Sequence, residues 1–327
     1  MRCAMSDSTI NVTLATRTAD ASPQAGKKPV RHLPPPVGLK ERLVRSRYSL
    51  VRHLVQVTVL LLFIATARWG LTIANRPVLD GTLSNSKILG AVPLTDPFAM
   101  LERLAAGHLP TLSALIGAGI VVGLYGLLGS RIFCGWICPM NLVTEAADWV
   151  RRRLGFQADV MRFDNRLRYA FALVTLVASF FTGTAAFETV SPQALLWRDL
   201  VFGTGLWAVA AALGVFALDV AVARQGWCGH LCPLGAFWAL IGRLNPKPYI
   251  KIKFDTDSCT RCGDCIRVCP EPQIIRFKEL SHTGQIPRGE CLQCGRCIQI
   301  CPEDSLAFQL GKRTKIHDVK GDNHERL

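Results

Sequence analysis

The chain has 327 residues, of which 50% are hydrophobic and 19% charged, against about 25% charged in soluble proteins. Its formal net charge of +14 is that of a nucleic-acid binder. However, the basic residues flank apolar stretches, which favours a membrane and argues against a nucleic-acid partner. Thirteen cysteines are then either metal ligands or disulfide partners, and their spacing decides between the two.

The order of polar and apolar stretches predicts four parts along the chain. Residues 1–38 are polar, contain three consecutive prolines and predict a disordered cytoplasmic tail. Residues 39–245 predict a membrane domain, and residues 246–310 predict a ferredoxin-like domain. Residues 311–327 form a second polar tail.

Four apolar segments in the second part approach the about 20 residues that a membrane-spanning helix needs. They are residues 53–74, 112–133, 169–187 and 200–223. Lys and Arg concentrate before the first segment, between the second and third, and after the fourth, which predicts that both termini are cytoplasmic. We therefore expect a multi-pass protein of the bacterial inner membrane.

Each apolar hairpin ends in a cysteine pair with the spacing C-x3-C-P, as CGWICP and CGHLCP. The first pair is Cys134 and Cys138, and the second is Cys228 and Cys232. This repetition predicts a duplicated two-span unit. Three roles stay open for the four thiols: a further metal or cluster site, a dithiol redox relay, or packing.

The segment 259–302 contains the spacing C-x2-C-x2-C-x3-C-P twice, as CTRCGDCIRVCP and CLQCGRCIQICP. This is the bacterial run for two [4Fe–4S] clusters, in which the fourth Cys of each run ligates the other cluster. Zinc ribbons place their cysteines in pairs, so the spacing favours clusters over zinc or disulfides. The predicted ligands are Cys259, Cys262, Cys265 and Cys301 for cluster 1, and Cys291, Cys294, Cys297 and Cys269 for cluster 2.

Together these features predict a mainly α membrane protein. Its four transmembrane helices would form two repeated hairpins, followed by a small C-terminal α+β ferredoxin domain of the bacterial type with two [4Fe–4S] clusters.

With these motifs in view, the chain resembles the NapH-type ferredoxin-like membrane proteins of periplasmic nitrate reduction. The resemblance covers about residues 40–310. It rests on the four apolar segments, CGWICP, WCGHLCPLGAFW, the loop LDGTLSNSKILGAVPLTDPFAMLE and the doubled cluster run. The MauN-type proteins of methylamine utilisation look similar and fit the same motifs. The chain departs from the pattern in its long N-terminal tail and in the stretch SHTGQIPRGE between the two runs.

The resemblance implies a quinol dehydrogenase component that takes electrons from the membrane quinol pool. It would pass them, with a NapG-like iron–sulfur protein and/or a membrane-anchored cytochrome, toward a periplasmic nitrate reductase. No residue that makes or breaks bonds is identifiable. The candidates for contact with the quinone are Arg68, Trp69, His108 and His230. For Arg68, a charge inside an apolar segment, the alternative is that it snorkels to the membrane interface beside Trp69.

A second class of function fits the same motifs. The chain would then be an assembly or regulatory iron–sulfur protein that donates electrons to a metalloenzyme without turning over quinol.

Overall fold

The fold is known from a computed structural model. It describes residues 32–33, 38–129, 131–156, 160–161, 163–164, 166–203, 207–245, 248–287 and 289–311. The predicted tails, 1–38 and 311–327, lie almost wholly outside these residues. Cys3 lies outside them as well.

The described part of the chain is mainly helical. In chain order the α-helices are α1 (Leu39–Trp69), α2 (Pro97–Ala105), α3 (Leu112–Leu128), α4 (Met140–Arg153), α5 (Leu167–Thr182), α6 (Ala186–Val190), α7 (Pro192–Phe202), α8 (Trp207–Ala221), α9 (Pro233–Leu244), α10 (Asp264–Val268), α11 (Phe277–Thr283) and α12 (Arg296–Ile300). Two short π-helical turns, Phe133–Ile137 and Gly226–Leu231, precede α4 and α9, and a 3₁₀ turn covers Pro272–Ile274.

Seven short strands form three antiparallel sheets among the described residues. They are β1 (Thr72–Ile73), β2 (Arg76–Pro77), β3 (Leu79–Gly81), β4 (Asn85–Ile88), β5 (Val92–Thr95), β6 (Ile250–Phe254) and β7 (Leu306–Leu310). β1 pairs with β2, β4 lies between β3 and β5, and β6 pairs with β7. The largest sheet leads into α2, whose first turn is capped by the Asp96 carboxylate, which accepts from the Phe98 amide at 2.8 Å.

Helix α1 is 31 residues long with a mean hydropathy of 1.9 in its most apolar window, and only 17% of that window is buried. By length and composition it is suited to cross a membrane. Its buried residues, Arg52, Gln56 and Phe63, all face the rest of the protein. The helix ends at Gly70, which adopts a left-handed conformation with φ 64°. This helix indicates that the protein associates with a membrane.

The prediction of four transmembrane helices is wrong, because α1 is the one helix in the described residues that is long and apolar enough to span. The other predicted spans contain helices of 17, 16 and 15 residues, which are α3, α5 and α8. These lengths fall short of the about 17–25 residues of a transmembrane helix, or lie at the lower limit.

Glycines and turns divide the predicted spans. Helix α3 stops at Gly129, before the first π-helical turn, and α5 stops at Gly183, which has φ 66°. Gly203, with φ 73°, separates α7 from α8 within the fourth predicted span. Apolar composition continues past each of these points, so hydropathy alone does not reveal the helix ends.

One local pattern of helices and turns occurs twice in the fold. An apolar helix, a π-helical turn and a further helix occur as α3 to α4 and again as α8 to α9. Each π-helical turn contains the first cysteine of a C-x3-C-P pair, and the second cysteine directly follows the turn. The Pro of each pair stands at the start of the following helix. Proline suits this position because its missing N–H would be unpaired there.

The C-terminal segment folds around β6 and β7, which pair from Ile250 with Leu310 to Phe254 with Leu306. Its core contains Ile252, Leu280 and four of the run cysteines. Helix α1 docks onto this segment near its own N-terminal end. There the Tyr48 ring packs edge-on against Phe308 with centroids 5.2 Å apart. The N-terminal part of α1 and the ferredoxin-like segment therefore lie on the same side of the molecule.

Candidate functional site: two cysteine-lined cavities beside two C-x3-C-P turns

The eight cysteines of the doubled run line two cavities, each with about 320 Å³ of space free of protein atoms when the adjoining solvent is included. We name them cavity 1 and cavity 2. Cavity 1 is lined by Cys259, Cys262, Cys265 and Cys301. Cavity 2 is lined by Cys269, Cys291, Cys294 and Cys297. In each cavity three thiols come from one run and the fourth from the other.

The two runs share an unusual backbone. Arg261 and Gln293, the residues before the second cysteine of each run, have left-handed φ values of 57° and 53°. Such conformations are uncommon outside glycine and cluster at functional sites. They turn the amide N–H toward sulfur, so Arg261 donates to Cys259 Sγ at 3.3 Å and Gln293 donates to Cys291 Sγ at 3.4 Å. Such bonds are among the means by which proteins tune cluster potentials.

The donor set fits iron–sulfur clusters. Burial raises the pKa of Cys265 and of Cys291 to about 12, with neighbouring thiols adding to the rise. Thiols in these surroundings stay neutral at pH 7 unless a metal centre draws off the proton. None of the twelve cysteines in the described residues forms a disulfide. The same residues hold no group of three or more His, Cys, Asp or Glu placed for a single metal ion.

The four C-x3-C-P thiols come together in the fold. Cys134 and Cys232 pack into one apolar cluster with Trp238 and Trp227. Cys138 belongs to a second apolar cluster, which also includes Trp227. Burial raises the pKa of Cys228 well above its usual value, and the other three thiols add to the rise. The indole N–H groups of Trp227 and Trp238 are buried and have no hydrogen-bond partner within the described ranges.

The first C-x3-C-P turn lies directly against the ligand loop of cavity 2. Trp136 Nε1 donates to the Gln293 carbonyl oxygen at 3.1 Å. Gly135 packs so closely that a Cβ there would lie 2.7 Å from the Leu292 carbonyl oxygen. The Gln56 side-chain amide of α1 also contacts this turn, since Nε2 donates to the carbonyl oxygens of Gly135 and Cys138 at 3.2 and 3.3 Å.

A buried ion network continues this junction. It consists of Arg131, Arg168, Glu271 and Glu290. Arg131 Nη1 lies 2.6 Å from Glu271 Oε1, and Arg168 Nη1 lies 3.1 Å from the same oxygen. Arg168 also pairs with Glu290. Burial alone would lower the pKa of Arg131, but the Glu271 carboxylate outweighs it and holds that pKa above its usual value. Glu271 lines cavity 2.

A second ionic junction centres on Glu145 of α4. Its carboxylate lies 2.5 Å from Arg52 of α1, 2.6 Å from Arg296 and 2.7 Å from His53. Arg296 lines cavity 2. Burial alone would raise the pKa of the Glu145 carboxyl, but Arg296 and Arg52 hold it below its usual range. Helices α1 and α4 are thus both tied to the second cysteine run.

The four predicted quinone contacts do not form one site. Arg68, near the C-terminal end of α1, donates to the Val201 carbonyl oxygen at 3.0 Å, and Trp69 beside it is 76% exposed. His108 Nε2 lies 3.0 Å from the Gly183 carbonyl oxygen at the end of α5. His230 lies in the second π-helical turn, next to the Phe163 ring. Their role as quinone contacts stays a prediction.

Sequence reasoning treated Arg131 and Arg168 as loop charges that orient the chain in a membrane. The structure buries both, at 1% and 0% side-chain exposure, in ion pairs with residues far along the chain. One signal was present in the sequence: an acidic residue follows Cys-Pro in both runs, as Glu271 and Glu303. A buried arginine partner was therefore foreseeable for one of them.

Comparison with known proteins covers the whole site. A family model described as a 4Fe-4S binding domain matches residues 110–157 and again 204–251. A second, described as a 4Fe-4S dicluster domain, matches residues 251–302. The predicted fold class placed one ferredoxin domain with two clusters in a small C-terminal region. That part of the prediction is wrong, since the 4Fe-4S matches begin at residue 110 and include both C-x3-C-P units, where a further cluster was one of the three open roles.

Three relatives show the family. The ferredoxin-type protein NapH of Haemophilus influenzae is 42% identical over 234 residues, covering 71% of this chain and 77% of the relative. NapH of Escherichia coli is 40% identical over 241 residues, covering 73% and 80%. The methylamine utilization ferredoxin-type protein MauN of Methylorubrum extorquens is 40% identical over 240 residues, again covering 73% and 80%. No solved structure matches the chain.

The repeated C-x3-C-P units and the two cysteine-lined cavities are thus found in a chain that belongs to the family of NapH and MauN ferredoxin-type iron–sulfur proteins.

Proposed function

We propose that this electron-transfer protein oxidises membrane quinol and passes the electrons through two [4Fe–4S] clusters. One observation carries the proposal: each cavity gathers four thiols, three from one run and one from the other. The cluster ligands are Cys259, Cys262, Cys265 and Cys301 in cavity 1, and Cys269, Cys291, Cys294 and Cys297 in cavity 2. When bound, such clusters supply one-electron redox steps.

The chain's own residues supply ligands, burial and hydrogen bonds. A quinol gives up two electrons and two protons, so two one-electron centres in series match its stepwise oxidation. The amides of Arg261 and Gln293 favour negative charge on sulfur. All four cavity 2 thiols are buried, which limits their contact with water.

The orientation follows from α1. Lys40, Arg42, Arg45 and Arg47 lie at its N-terminal end, which by the positive-inside rule faces the cytoplasm. The ferredoxin-like segment packs on this same end, where Ser49 donates to Gln299 at 3.2 Å. We therefore propose that both cavities are cytoplasmic in a bacterial inner membrane. Reporter fusions after residue 311 test this, and an external reporter contradicts it.

The acceptor is proposed from the relatives. Because NapH-type proteins are the resemblance that the motifs support, we propose a periplasmic nitrate reductase as the final acceptor. A NapG-like iron–sulfur protein and/or a membrane-anchored cytochrome would carry the electrons to it. Co-purification of such a partner with this chain is the expected result.

Membranes that contain this chain and no other redox protein test quinol oxidation. Short-chain quinol is added anaerobically, and the reduced clusters are followed by EPR. We expect quinol to reduce clusters that dithionite also reduces. A chain lacking Cys262 and Cys294, as the double Ala variant, provides the baseline. Reduction by dithionite but never by quinol would make the dehydrogenase proposal wrong and favour the assembly or regulatory alternative.

We also propose that the C-x3-C-P thiols hold a further cluster rather than act as a dithiol relay. The 4Fe-4S binding domain matches over both units support this, as do the unpartnered indole N–H groups of Trp227 and Trp238, which suit a sulfide acceptor. Iron and acid-labile sulfide per chain are expected to fall in the Cys134/Cys138/Cys228/Cys232 quadruple Ser variant. Unchanged content would favour the thiol relay.

A further inference from the structure

Arg131 is the one arginine in the described residues that contacts both C-x3-C-P units and the flanks of both cysteine runs. Its guanidinium is only 1% exposed. Nη1 donates to Glu271, which follows Cys269-Pro270, at 2.6 Å, and to the carbonyl oxygen of Glu290, which precedes Cys291, at 2.9 Å. Nη2 lies 3.5 Å from the Cys228 carbonyl oxygen.

Arg131 also stands at the start of the first C-x3-C-P turn. Its own carbonyl oxygen accepts from the Gly135 amide at 3.3 Å, and Cys134 follows three positions later in the chain. Arg131 therefore places one of the two buried positive charges of the network between the cavity 2 ligand loops and the C-x3-C-P turns, while Arg168 pairs with the same two carboxylates. At the second turn the matching position is Gln225, and the neighbouring Arg224 pairs with Asp148 at 2.9 Å and donates to the Arg267 carbonyl oxygen at 2.8 Å.

A fixed positive charge in a water-poor site acts strongly on a nearby redox centre. Reduction adds one electron, so the charge stabilises the reduced form and raises the reduction potential. Burial strengthens the effect, because neither water nor salt screens it well. Beside cavity 1, Arg261 precedes the ligand Cys262, but its side chain is exposed and its charge is therefore screened.

We propose that Arg131 is a positioning residue that raises the potential of a cluster held in cavity 2 and links its ligand loops to the C-x3-C-P units. This rests on the proposed presence of a cluster in cavity 2. With its four buried thiols, cavity 2 would hold the inner centre, and cavity 1, where three of the four thiols are half-buried, would hold the centre nearer to an external partner.

The opposing charges of the network sharpen the test. Glu290 lies next to the ligand Cys291 and is 14% exposed at its side chain. Replacing it by Gln removes a negative charge while keeping groups that hydrogen-bond to Arg168. Removing Glu290 and removing Arg131 must therefore shift the potential in opposite directions. If Arg131 and Glu290 acted only through packing, their removal would not be expected to shift the reduction potential in opposite directions.

Redox titration of the full-length purified protein, monitored by EPR, provides the measurement. The variants are Arg131→Gln, Arg131→Lys and Glu290→Gln, with Arg261→Gln as the matched control beside cavity 1. We expect a lower cavity 2 potential in Arg131→Gln, a near-native one in Arg131→Lys and a higher one in Glu290→Gln. The cavity 1 potential should stay unchanged in these three variants and move little in Arg261→Gln.

The outcomes separate the two proposals. A cavity 2 potential that does not move in Arg131→Gln, or that moves in the same direction in Glu290→Gln, overturns the role of Arg131 alone. If Arg131→Gln fails to fold, Glu290→Gln and Arg131→Lys still decide, because an unmoved potential in the former contradicts the charge effect. A wild-type protein without a cavity 2 signal overturns the proposed clusters and this inference together.

Discussion

Cavity 1 and cavity 2 have the same cysteine spacing, the same volume and the same backbone in their ligand loops, but different surroundings. Residues of the ferredoxin-like segment line both cavities, but three of the four cavity 1 thiols are half-buried. All four cavity 2 thiols are buried. The loops around cavity 2 contact α1, the first C-x3-C-P turn and the buried ion network.

The difference shows that a duplicated motif acquires distinct roles through packing. The two runs alone would give two equivalent sites. Contacts from residues more than a hundred positions away, such as Arg131 and Trp136, make one site internal and leave the other at the surface. The predictions below test this contrast, from the largest expected effect to the smallest.

Glu271 and Glu303 occupy the same place in the two runs, directly after Cys-Pro. Glu271 is 1% exposed and pairs with two buried arginines, whereas Glu303 lines the more open cavity 1. We expect Glu271→Ala to lower the free energy of unfolding by about 3–5 kcal/mol, because it leaves buried guanidinium groups uncompensated. The measurement is the midpoint of unfolding of the purified protein in guanidinium chloride, followed by tryptophan fluorescence.

The control for this prediction is Glu303→Ala, which should change the free energy of unfolding by less than about 0.5 kcal/mol, as is usual for surface sites. Equal effects of the two substitutions would remove the contrast between the cavities.

Gly135 and Gly229 are the matching glycines of the two C-x3-C-P turns. A Cβ on Gly135 would lie 2.7 Å from the Leu292 carbonyl oxygen, whereas the nearest atom to a Cβ on Gly229 is at 3.8 Å. Gly135→Ala should therefore push the first turn away from cavity 2 and cost about 1–3 kcal/mol, as overpacking typically does. Denaturant unfolding measures the loss, and Gly229→Ala is the control. If Gly229→Ala costs as much, close packing against cavity 2 is not the cause.

The Glu145 junction predicts a dependence of stability on acid. Its carboxyl pKa is lower in the folded protein than the about 4.3 of an unfolded chain. A lowered folded pKa contributes stability that is complete above the unfolded pKa and is lost as the pH falls through the folded pKa. Unfolding midpoints between pH 6 and pH 3 should therefore fall less steeply in Glu145→Gln than in the wild type. Parallel curves would show that Arg52 and Arg296 do not stabilise this carboxylate.

The spacing of the cysteines in the sequence is enough to predict how they are grouped. The spacing of the doubled run predicts the two sets of four cysteines, and the structure places each set around one cavity. The repeated C-x3-C-P pairs predict a duplicated two-span hairpin. The fold instead repeats a shorter stretch, α3 to α4 and α8 to α9, around the two pairs. The grouping of the cysteines follows from residue spacing, because the cysteines of a cluster-binding run recur at fixed short intervals.

Helix ends and distant partners were not predictable in the same way. Hydropathy continues across Gly129 and Gly203, so the four-span prediction missed the breaks that leave α3, α5 and α8 short. Charge counting assigned Arg131 and Arg168 to membrane orientation, since their partners Glu271 and Glu290 lie more than a hundred residues away. A buried ion pair is recognisable only once the fold brings its members together.

The most direct test of the account is which cluster Cys269 serves. By sequence Cys269 belongs to the first run, but it lines cavity 2 with the second. EPR spectra of dithionite-reduced protein are compared for Cys269→Ala, Cys262→Ala and Cys294→Ala. We expect Cys269→Ala to lose the EPR signal that Cys294→Ala lacks and to retain the EPR signal that Cys262→Ala lacks. If Cys269→Ala instead loses the signal that Cys262→Ala lacks, Cys269 serves the cluster in cavity 1 and the assignment is contradicted.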